Sequence, residues 1–456
     1  HASPYLLTGL LRDGMGFEGV LVSDWNDILR LHTVHRTARS YDEAIERSIT
    51  AGVDMYMVPH DAEGFTSRLT ALVEAGRVPQ ARIDEAVRRI LTLKFALGLF
   101  ERPYVDAERA DETVTGVASD RALAREAARA SLTLLKNDGV LPLGEGVRAV
   151  LVTGPGADSV AEQMGGWTIG WQGLEGGREV PPAVTVFEGL RDGAPAGTEV
   201  RYLSAGAAGL REAAQEADVA VVVVGERPYA EGEGDSQSLS LPEAEEALIR
   251  ELAATGTPTV VVLLAGRPLL LETLADVAAL LMAYLPGSET GTAVADVVFG
   301  DYNPSGRLPF SWPRSTGQLP LSYDRLASEA PYDPRFAFGY GLSYTSYSYQ
   351  NARATVSDEA VTVSVEVSNT GARAGHEVVQ VFVEPAFGSV LAPVQRLAGF
   401  ETVYLEPGET ATVSLELPLS RFAVLPGDVF DAPAAVVEAG SYGLRIAESY
   451  VEVVLP

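Results

Sequence analysis

Cysteine is absent from this chain of 456 residues, so disulfide bonds and thiolate metal sites are excluded. Lysine is scarce, represented by Lys94 and Lys136, and acidic residues outnumber basic ones by 62 to 34. The formal net charge of −28 argues against a surface that follows nucleic-acid phosphates and against binding to anionic membranes. No apolar run reaches the roughly 18 residues of a membrane span. A neutral partner such as a glycan suits this charge balance.

The pattern of apolar residues predicts an α/β multidomain protein. Residues 1–115 read as helices around two short apolar stretches, which predict two parallel strands. Residues 116–319 alternate apolar strands with helices, which predicts an α/β sandwich with a mainly parallel sheet. A linker rich in Pro, Gly and Tyr over 320–345 leads to residues 346–456, where short alternating strands without helices predict a β-sandwich.

The stretch 19–25, Gly-Val-Leu-Val-Ser-Asp-Trp, predicts a buried strand that ends at a carboxylate, Asp24, and an indole, Trp25. In a (β/α) barrel, polar side chains at the C-terminal ends of strands line the active site. An indole provides a flat apolar platform for a pyranose ring, and a carboxylate can face the reactive carbon of that ring. The alternative is that Asp24 caps the next helix and that Trp25 belongs to the core.

Two loops of the second region also carry candidate site residues. The loop 225–235 places four acids among glycines and a proline, directly after an apolar strand. Ligands of parallel sheets bind beyond the carboxyl ends of strands, although a solvated acidic loop is the alternative interpretation. The other loop, 165–173, holds Trp167 and Trp171 between glycines, which is unusual for indoles that serve only the core.

The sequence around Asp24, residues 10–25, resembles the nucleophile segment of glycoside hydrolase family 3, which contains β-glucosidases, exo-β-glucanases and β-xylosidases. The pattern Gly-Glu-x-Pro-Tyr-x-Glu, followed by Gly-Asp, resembles the acid/base loop of the exo-glucanase branch. The resemblance implies that Asp24 is the nucleophile and that Glu231 is the general acid/base. Glu233 is the closest rival to Glu231, because it lies two residues away between glycines.

The same resemblance implies the aromatic contacts of a sugar site. Trp167 matches a family Trp that pairs with Trp25, so that the two indoles sandwich the leaving sugar. Trp171 could instead pack structurally. Tyr229, within the acid/base loop, is expected to bind substrate.

The resemblance further implies that residues 1–115 supply the last two strands of an eight-stranded (β/α) barrel. About six βα units would then precede His1, and we expect an N-terminal barrel fragment or a dimer partner to complete the barrel. The last region resembles the fibronectin-III-like domain of the family. No cofactor is expected. His32 and His35 lie three residues apart, but the sequence offers no third ligand for a metal ion.

The implied function is a retaining, exo-acting β-glycosidase that removes terminal β-D-glucose from oligosaccharides or glucosides through a covalent glycosyl-enzyme. A β-xylosidase of the same family is an alternative, as is a non-catalytic glycan-binding subunit if the barrel is not completed. N-acetylglucosaminidases of the family mostly use a His-Asp pair, so the Glu231 loop counts against them. The compartment stays open, with a secreted or periplasmic location suggested by analogy.

Overall fold

The computed structural model describes residues 1–106, 117–174, 182–427 and 434–456. The chain divides into two compact units, residues 1–112 (unit 1) and 113–456 (unit 2). The domain boundaries proposed from the sequence stay predictions. No helix in the described ranges is both long and apolar enough to cross a membrane.

Unit 1 is mainly helical in its described part. Its helices are a π-helix over Tyr5–Gly14, α1 (Asp27–Thr33), α2 (Tyr41–Ala51), α3 (Ala62–Glu74) and α4 (Gln80–Ala96). The start of α2 follows the capping rule, because the Ser40 hydroxyl accepts the Glu43 N–H at 3.2 Å. Gly52 ends the helix at φ 124°, a conformation that residues with a Cβ rarely adopt.

The two predicted strands of unit 1 pair in parallel, but the pairing is short. Val22 and Met55 form one parallel bridge, and the Asp54 and Met55 N–H groups both donate to Leu21 O, at 2.8 and 3.0 Å. Val22 and Met55 are 45% and 50% exposed in this chain, and burial of the segment on both faces stays a prediction. The core of unit 1 lies among α1, α2 and α3 and includes neither side chain.

Unit 2 begins with a six-stranded sheet. Its strands are β1 (Thr133–Asn137), β2 (Ala149–Thr153), β3 (Glu199–Tyr202), β4 (Val219–Gly225), β5 (Thr259–Leu264) and β6 (Ala279–Tyr284). They lie in the order β1-β6-β5-β4-β2-β3, and β1 runs antiparallel to β6 while the other pairs are parallel. The mainly parallel sheet is therefore confirmed. Strands β4 and β5 are buried along their whole length, because apolar clusters cover both faces of the sheet.

Helices and short turns connect and flank these strands. The helices of unit 2 are α5 (Ala118–Ser131), α6 (Val160–Met164), α7 (Val186–Gly193), α8 (Leu210–Glu216), α9 (Glu243–Ala253) and α10 (Thr290–Phe299). The 3₁₀ turns are Glu231–Gly234, Glu272–Ala275, Gly287–Glu289, Thr316–Gln318 and Leu419–Arg421. Trp312 packs in the core on one face of the sheet and is 1% exposed.

The last part of unit 2 is the predicted β-sandwich. Its strands are β7 (Tyr347–Val356), β8 (Ala360–Asn369), β9 (Gly375–Pro385), β10 (Arg396–Leu405), β11 (Thr410–Pro418), β12 (Gly440–Ile446) and β13 (Ser449–Leu455). One antiparallel sheet has the order β10-β9-β12-β13 and the other β11-β8-β7. Alternate residues of β8, such as Val363 and Val365, enter the core between the sheets.

Candidate functional site

Asp24 and Trp25 lie in unit 1, directly after the paired segment and before α1. Ser23 fixes this end of the segment from both its backbone and its side chain. Its N–H donates to Met55 O at 2.9 Å, and its hydroxyl accepts the Met57 N–H, also at 2.9 Å. The carboxylate and the indole are therefore carried at the C-terminal end of a paired segment, as the sequence predicted.

The contacts of Asp24 and Trp25 contradict the alternative of a helix cap beside a core indole. The Asp24 carboxylate accepts the Trp25 N–H at 2.6 Å, and the N-cap residue of α1 is Asn26. The Asp24 N–H donates to Nε2 of His1 at 3.0 Å. Asp24 is exposed, and Trp25 is 62% exposed. Both side chains are therefore available at the surface of unit 1.

A buried carboxylate, Asp54, anchors this paired segment. Its side chain has no exposed surface and accepts hydrogen bonds from Arg12 at 2.7 Å, Arg82 at 2.6 Å and Arg89 at 3.1 Å. It also accepts the Leu21 N–H at 3.0 Å. Burial, together with the charge of Arg89, lowers the pKa of Arg12. Sequence reasoning missed this group, although an acidic residue inside an otherwise apolar stretch was a signal for it.

In unit 2, the loop that follows β4 is held by an ion pair. Glu226 accepts a hydrogen bond from Arg267 at each carboxylate oxygen, at 3.0 Å from Nε to Oε2 and at 2.6 Å from Nη2 to Oε1. The Tyr229 hydroxyl donates to Glu226 at 3.2 Å, and the Arg267 guanidinium lies 5.1 Å from the centre of the Tyr229 ring. These contacts raise the pKa of Arg267, while burial raises that of Tyr229. Tyr229 is thus in contact with both members of the ion pair, and its role in binding substrate stays a prediction.

Glu231 begins the 3₁₀ turn Glu231–Gly234 of the same loop and has φ 54°, in the left-handed region. Such a backbone costs a non-glycine residue roughly 1 kcal/mol or more, so its surroundings must hold it in place. Glu231 and Glu233 are both exposed, whereas Ala230 is buried. The turn therefore presents both candidate acids at the surface.

The loop with the two tryptophans follows α6. Gly165 ends α6 at φ 86°, and Trp167 itself lies at φ 60°. The Trp167 N–H donates to Trp171 O at 2.9 Å, which closes the loop. Trp167 is 70% exposed and Trp171 is 50% exposed, so neither indole is enclosed in the core of unit 2.

The structure brings these two loops of unit 2 together. The Gln172 side chain accepts the Ala230 N–H at 2.8 Å and donates to Ala230 O at 3.3 Å. A Cβ on Gly166 would lie 2.2 Å from Tyr229 O, so only glycine allows this approach. The loop that carries Trp167 therefore contacts the loop that carries Tyr229 and Glu231, and the roles of these three side chains stay predictions.

A small polar cavity of about 130 Å³ lies beside the carboxyl ends of β4 and β5. Its lining comprises Pro155, Gly156, Glu162, Val224, Gly225, Arg227, Glu245 and Leu264. Burial raises the pKa of Glu245 to about 7, although the Gly225 N–H donates to its carboxylate at 2.7 Å. Burial also raises the pKa of Glu162, and the charge of Arg227 opposes that shift.

Among the described residues, no group of three or more His, Asp or Glu side chains is arranged to hold a metal ion. His32 lies in α1, and its Nδ1 is 3.1 Å from Ala38 O. His35 follows the helix and is exposed.

Three segments of the chain match known sequence families. Residues 1–93 match the N-terminal domain of glycosyl hydrolase family 3, and residues 132–344 match its C-terminal domain. Residues 377–450 match a fibronectin type III-like domain. The chain belongs to glycosyl hydrolase family 3. The family 3 domains thus include Asp24 in the first segment and Glu231 in the second.

Curated family 3 relatives resemble nearly the whole chain. The lysosomal beta glucosidase of Dictyostelium discoideum is 38% identical over 94% of this chain and 56% of its own length. The periplasmic beta-glucosidase of Salmonella typhimurium is 36% identical over 91% of this chain and 60% of its own length. A beta-xylosidase of Formosa agariphila is 35% identical over 98% of this chain and 65% of its own length. The chain spans 56% to 65% of the length of these three relatives.

Solved structures of the family agree with this assignment. The beta-glucosidase of Listeria innocua, determined in complex with glucose, superimposes with a TM-score of 0.88 and is 32% identical. The match covers 99% of this chain and 65% of that chain. The α/β fold with a C-terminal fibronectin-III-like sandwich is therefore shared with family 3 enzymes.

Proposed function

We propose that this family 3 protein is a retaining, exo-acting β-glycosidase that removes terminal β-D-glucose from oligosaccharides or glucosides. The observation that carries the proposal is the exposed Asp24, beside the exposed Trp25, at the end of the paired segment in the family 3 N-terminal domain. Relatives named as beta-glucosidases, one of them determined with glucose, support glucose as the sugar.

In the proposed mechanism, Asp24 is the nucleophile and Glu231 is the general acid/base. The Asp24 carboxylate attacks the anomeric carbon while Glu231 donates its proton to the glycosidic oxygen, and the bond between carbon and oxygen breaks. Glu231 then removes a proton from water, whose oxygen attacks the same carbon and releases Asp24 as a carboxylate. Glu233 is the rival acid, because the same turn exposes it.

We further propose that the exposed indoles bind the sugar rings. An indole face packs against the apolar face of a pyranose, and Trp25, Trp167 and Trp171 each leave at least half of their surface exposed. Tyr229 acts differently in this proposal. Because Glu226 and Arg267 hold its hydroxyl and its ring, Tyr229 contributes by supporting the loop of Glu231.

A β-xylosidase is the second candidate function, and the relative from Formosa agariphila favours it. The two activities differ in the group at C5 of the sugar, so paired assays on aryl β-glucosides and β-xylosides separate them. The ratio of the two kcat/KM values decides between the candidates. Equal failure on both, with retained glycan binding, would instead support a non-catalytic subunit.

For the location, we propose export to a secreted or periplasmic compartment. The periplasmic relative from Salmonella typhimurium supports this proposal. Fractionation of the source cells, with antibody detection of this chain, tests it. A native mass measurement on the same material tests whether an N-terminal barrel fragment or a second copy accompanies the chain.

The mechanism is tested with Asp24→Asn, Glu231→Gln and Glu233→Gln. Asp24→Asn should abolish turnover, and a 2-deoxy-2-fluoro-β-glucoside should label Asp24 in a peptide map of the unchanged protein. Glu231→Gln should lose about 100-fold or more on alkyl glucosides but little in the glycosylation step on 2,4-dinitrophenyl glucoside, whose leaving group needs no proton. If Glu233→Gln shows that selectivity instead, Glu233 is the acid. Labelling of another residue would contradict the role of Asp24.

A further inference from the structure

Gln172 occupies a position that the reaction scheme leaves unexplained. It follows Trp171 directly in the tryptophan loop, yet its side-chain amide bonds to the backbone of a different loop, 58 residues away in the sequence. Its Oε1 accepts the Ala230 N–H at 2.8 Å and its Nε2 donates to Ala230 O at 3.3 Å. Both ends of the amide are therefore used, in the manner of a short strand pair.

The peptide group that Gln172 holds leads directly into Glu231. Ala230 O belongs to the peptide bond that joins Ala230 to Glu231, and Ala230 has extended backbone angles while Glu231 has φ 54°. Because the left-handed backbone is unfavourable for glutamate, it persists where neighbouring contacts fix the peptide on its N-terminal side. Gln172 supplies one such contact, through Ala230 O, and it holds the preceding peptide through the Ala230 N–H.

The same residue links Glu231 to the indoles. Trp171 precedes Gln172, and Trp171 O accepts the Trp167 N–H at 2.9 Å. A change in the Gln172 contacts would therefore alter the position of the carboxylate relative to the indoles within unit 2. Misplacement of a catalytic group by about 1 Å can cost about 100-fold in rate.

We infer that Gln172 is a positioning residue, which holds the general acid Glu231 in its left-handed turn and fixes it relative to the tryptophan loop. This inference rests on the proposed function. A glutamine is required because one amide must accept and donate at once. A glutamate at this position would place an oxygen against Ala230 O, with no proton to share when it is ionised.

The test compares Gln172→Ala and Gln172→Glu with a control in the same loop, Thr168→Val. The Thr168 hydroxyl donates to Met164 O at 3.0 Å and makes no bond to the Glu231 loop. Each variant is assayed on methyl β-glucoside, which needs protonation of its leaving group, and for the glycosylation step on 2,4-dinitrophenyl β-glucoside, which does not. Both Gln172 variants should lose about 10- to 100-fold in kcat/KM on the first substrate and less than about 3-fold on the second.

In the control Thr168→Val, kcat/KM should change by the same factor on both substrates. Equal losses on both substrates in Gln172→Ala, or no loss on either, would overturn the positioning role. Amide hydrogen exchange at Ala230 provides a readout that needs no activity, and its protection should fall in Gln172→Ala but not in Thr168→Val. If the protein without substitutions hydrolyses neither glucoside, the proposed function fails. If amide exchange at Ala230 is the same in Gln172→Ala as in that protein, the contact between Gln172 and Ala230 is itself overturned.

Discussion

Replacing Glu245 by glutamine should stabilise the protein at alkaline pH and leave its stability at low pH nearly unchanged. Glu245 lies on α9, lines the small cavity and accepts the Gly225 N–H at 2.7 Å. Burial raises its pKa from 4.5 to about 7, and the charges of Glu162 and Glu226 contribute to that shift. Glutamine keeps an oxygen for the Gly225 N–H and carries no charge to desolvate.

The direction of this pH dependence follows from how many protons Glu245 binds in the folded and in the unfolded state. Between pH 4.5 and about 7, the folded protein keeps a proton on Glu245 that the unfolded chain has released. The free energy of unfolding therefore falls as the pH rises through this window, and the full penalty is present above it. The shift from 4.5 to about 7 corresponds to about 3 kcal/mol as an upper bound. Because the side chain is partly open to solvent, we expect about 1 to 2 kcal/mol.

The assay is urea unfolding followed by circular dichroism at pH 4.5 and pH 8. Glu245→Gln should unfold at higher urea than the unchanged protein at pH 8 and at similar urea at pH 4.5. Glu243→Gln is the matched control, because Glu243 lies two residues away on α9 with an exposed carboxylate. If the control stabilises as much, the effect comes from the overall net charge of −28. A Glu245→Gln variant that is less stable at pH 8 would refute the reasoning.

Three further substitutions test other parts of the structure. Asp54→Asn leaves three arginines around a neutral amide and should destabilise unit 1 by about 3 kcal/mol in urea unfolding; unchanged stability would show that the network is dispensable. Gly234→Ala would place a Cβ 2.2 Å from the Tyr229 ring, so it should lower activity on alkyl glucosides by displacing the Glu231 turn; an active variant would contradict this. Trp312→Ala should cost about 3 to 5 kcal/mol in the unfolding of unit 2, and a loss below about 1 kcal/mol would argue against its core position.

The parts of the fold that could be predicted are those where burial and periodicity agree. Strands β2 and β5 can be recognised in the sequence, because each is a mostly apolar run that is buried on both faces. Strands β7 and β10 are hard to recognise in the sequence, since both are half exposed and their alternation is weak. The helices α1 and α6 have seven and five residues, too few to show a helical period.

Candidate site residues could be predicted where they belong to a sequence motif. Contacts between loops that are far apart in the sequence could not be predicted. Glu231 and Trp167 were identified from their own loops, but no pattern in either loop indicates that Gln172 bridges them. The support that Arg267 gives to Glu226 was missed as well, although both follow neighbouring parallel strands. Since carboxyl ends of such strands share one edge of the sheet, that placement was the available signal.

The positions of the four tryptophans make intrinsic fluorescence a probe of ligand binding and of unfolding. Trp25 in unit 1 and Trp167 and Trp171 in unit 2 are exposed, whereas Trp312 is enclosed in the core of unit 2. Solvent-facing indoles should therefore dominate the long-wavelength side of the intrinsic fluorescence. A glucose analogue that covers any of them should shift the emission to shorter wavelength and reduce quenching by iodide. The enclosed indole should keep its emission until the fold is lost.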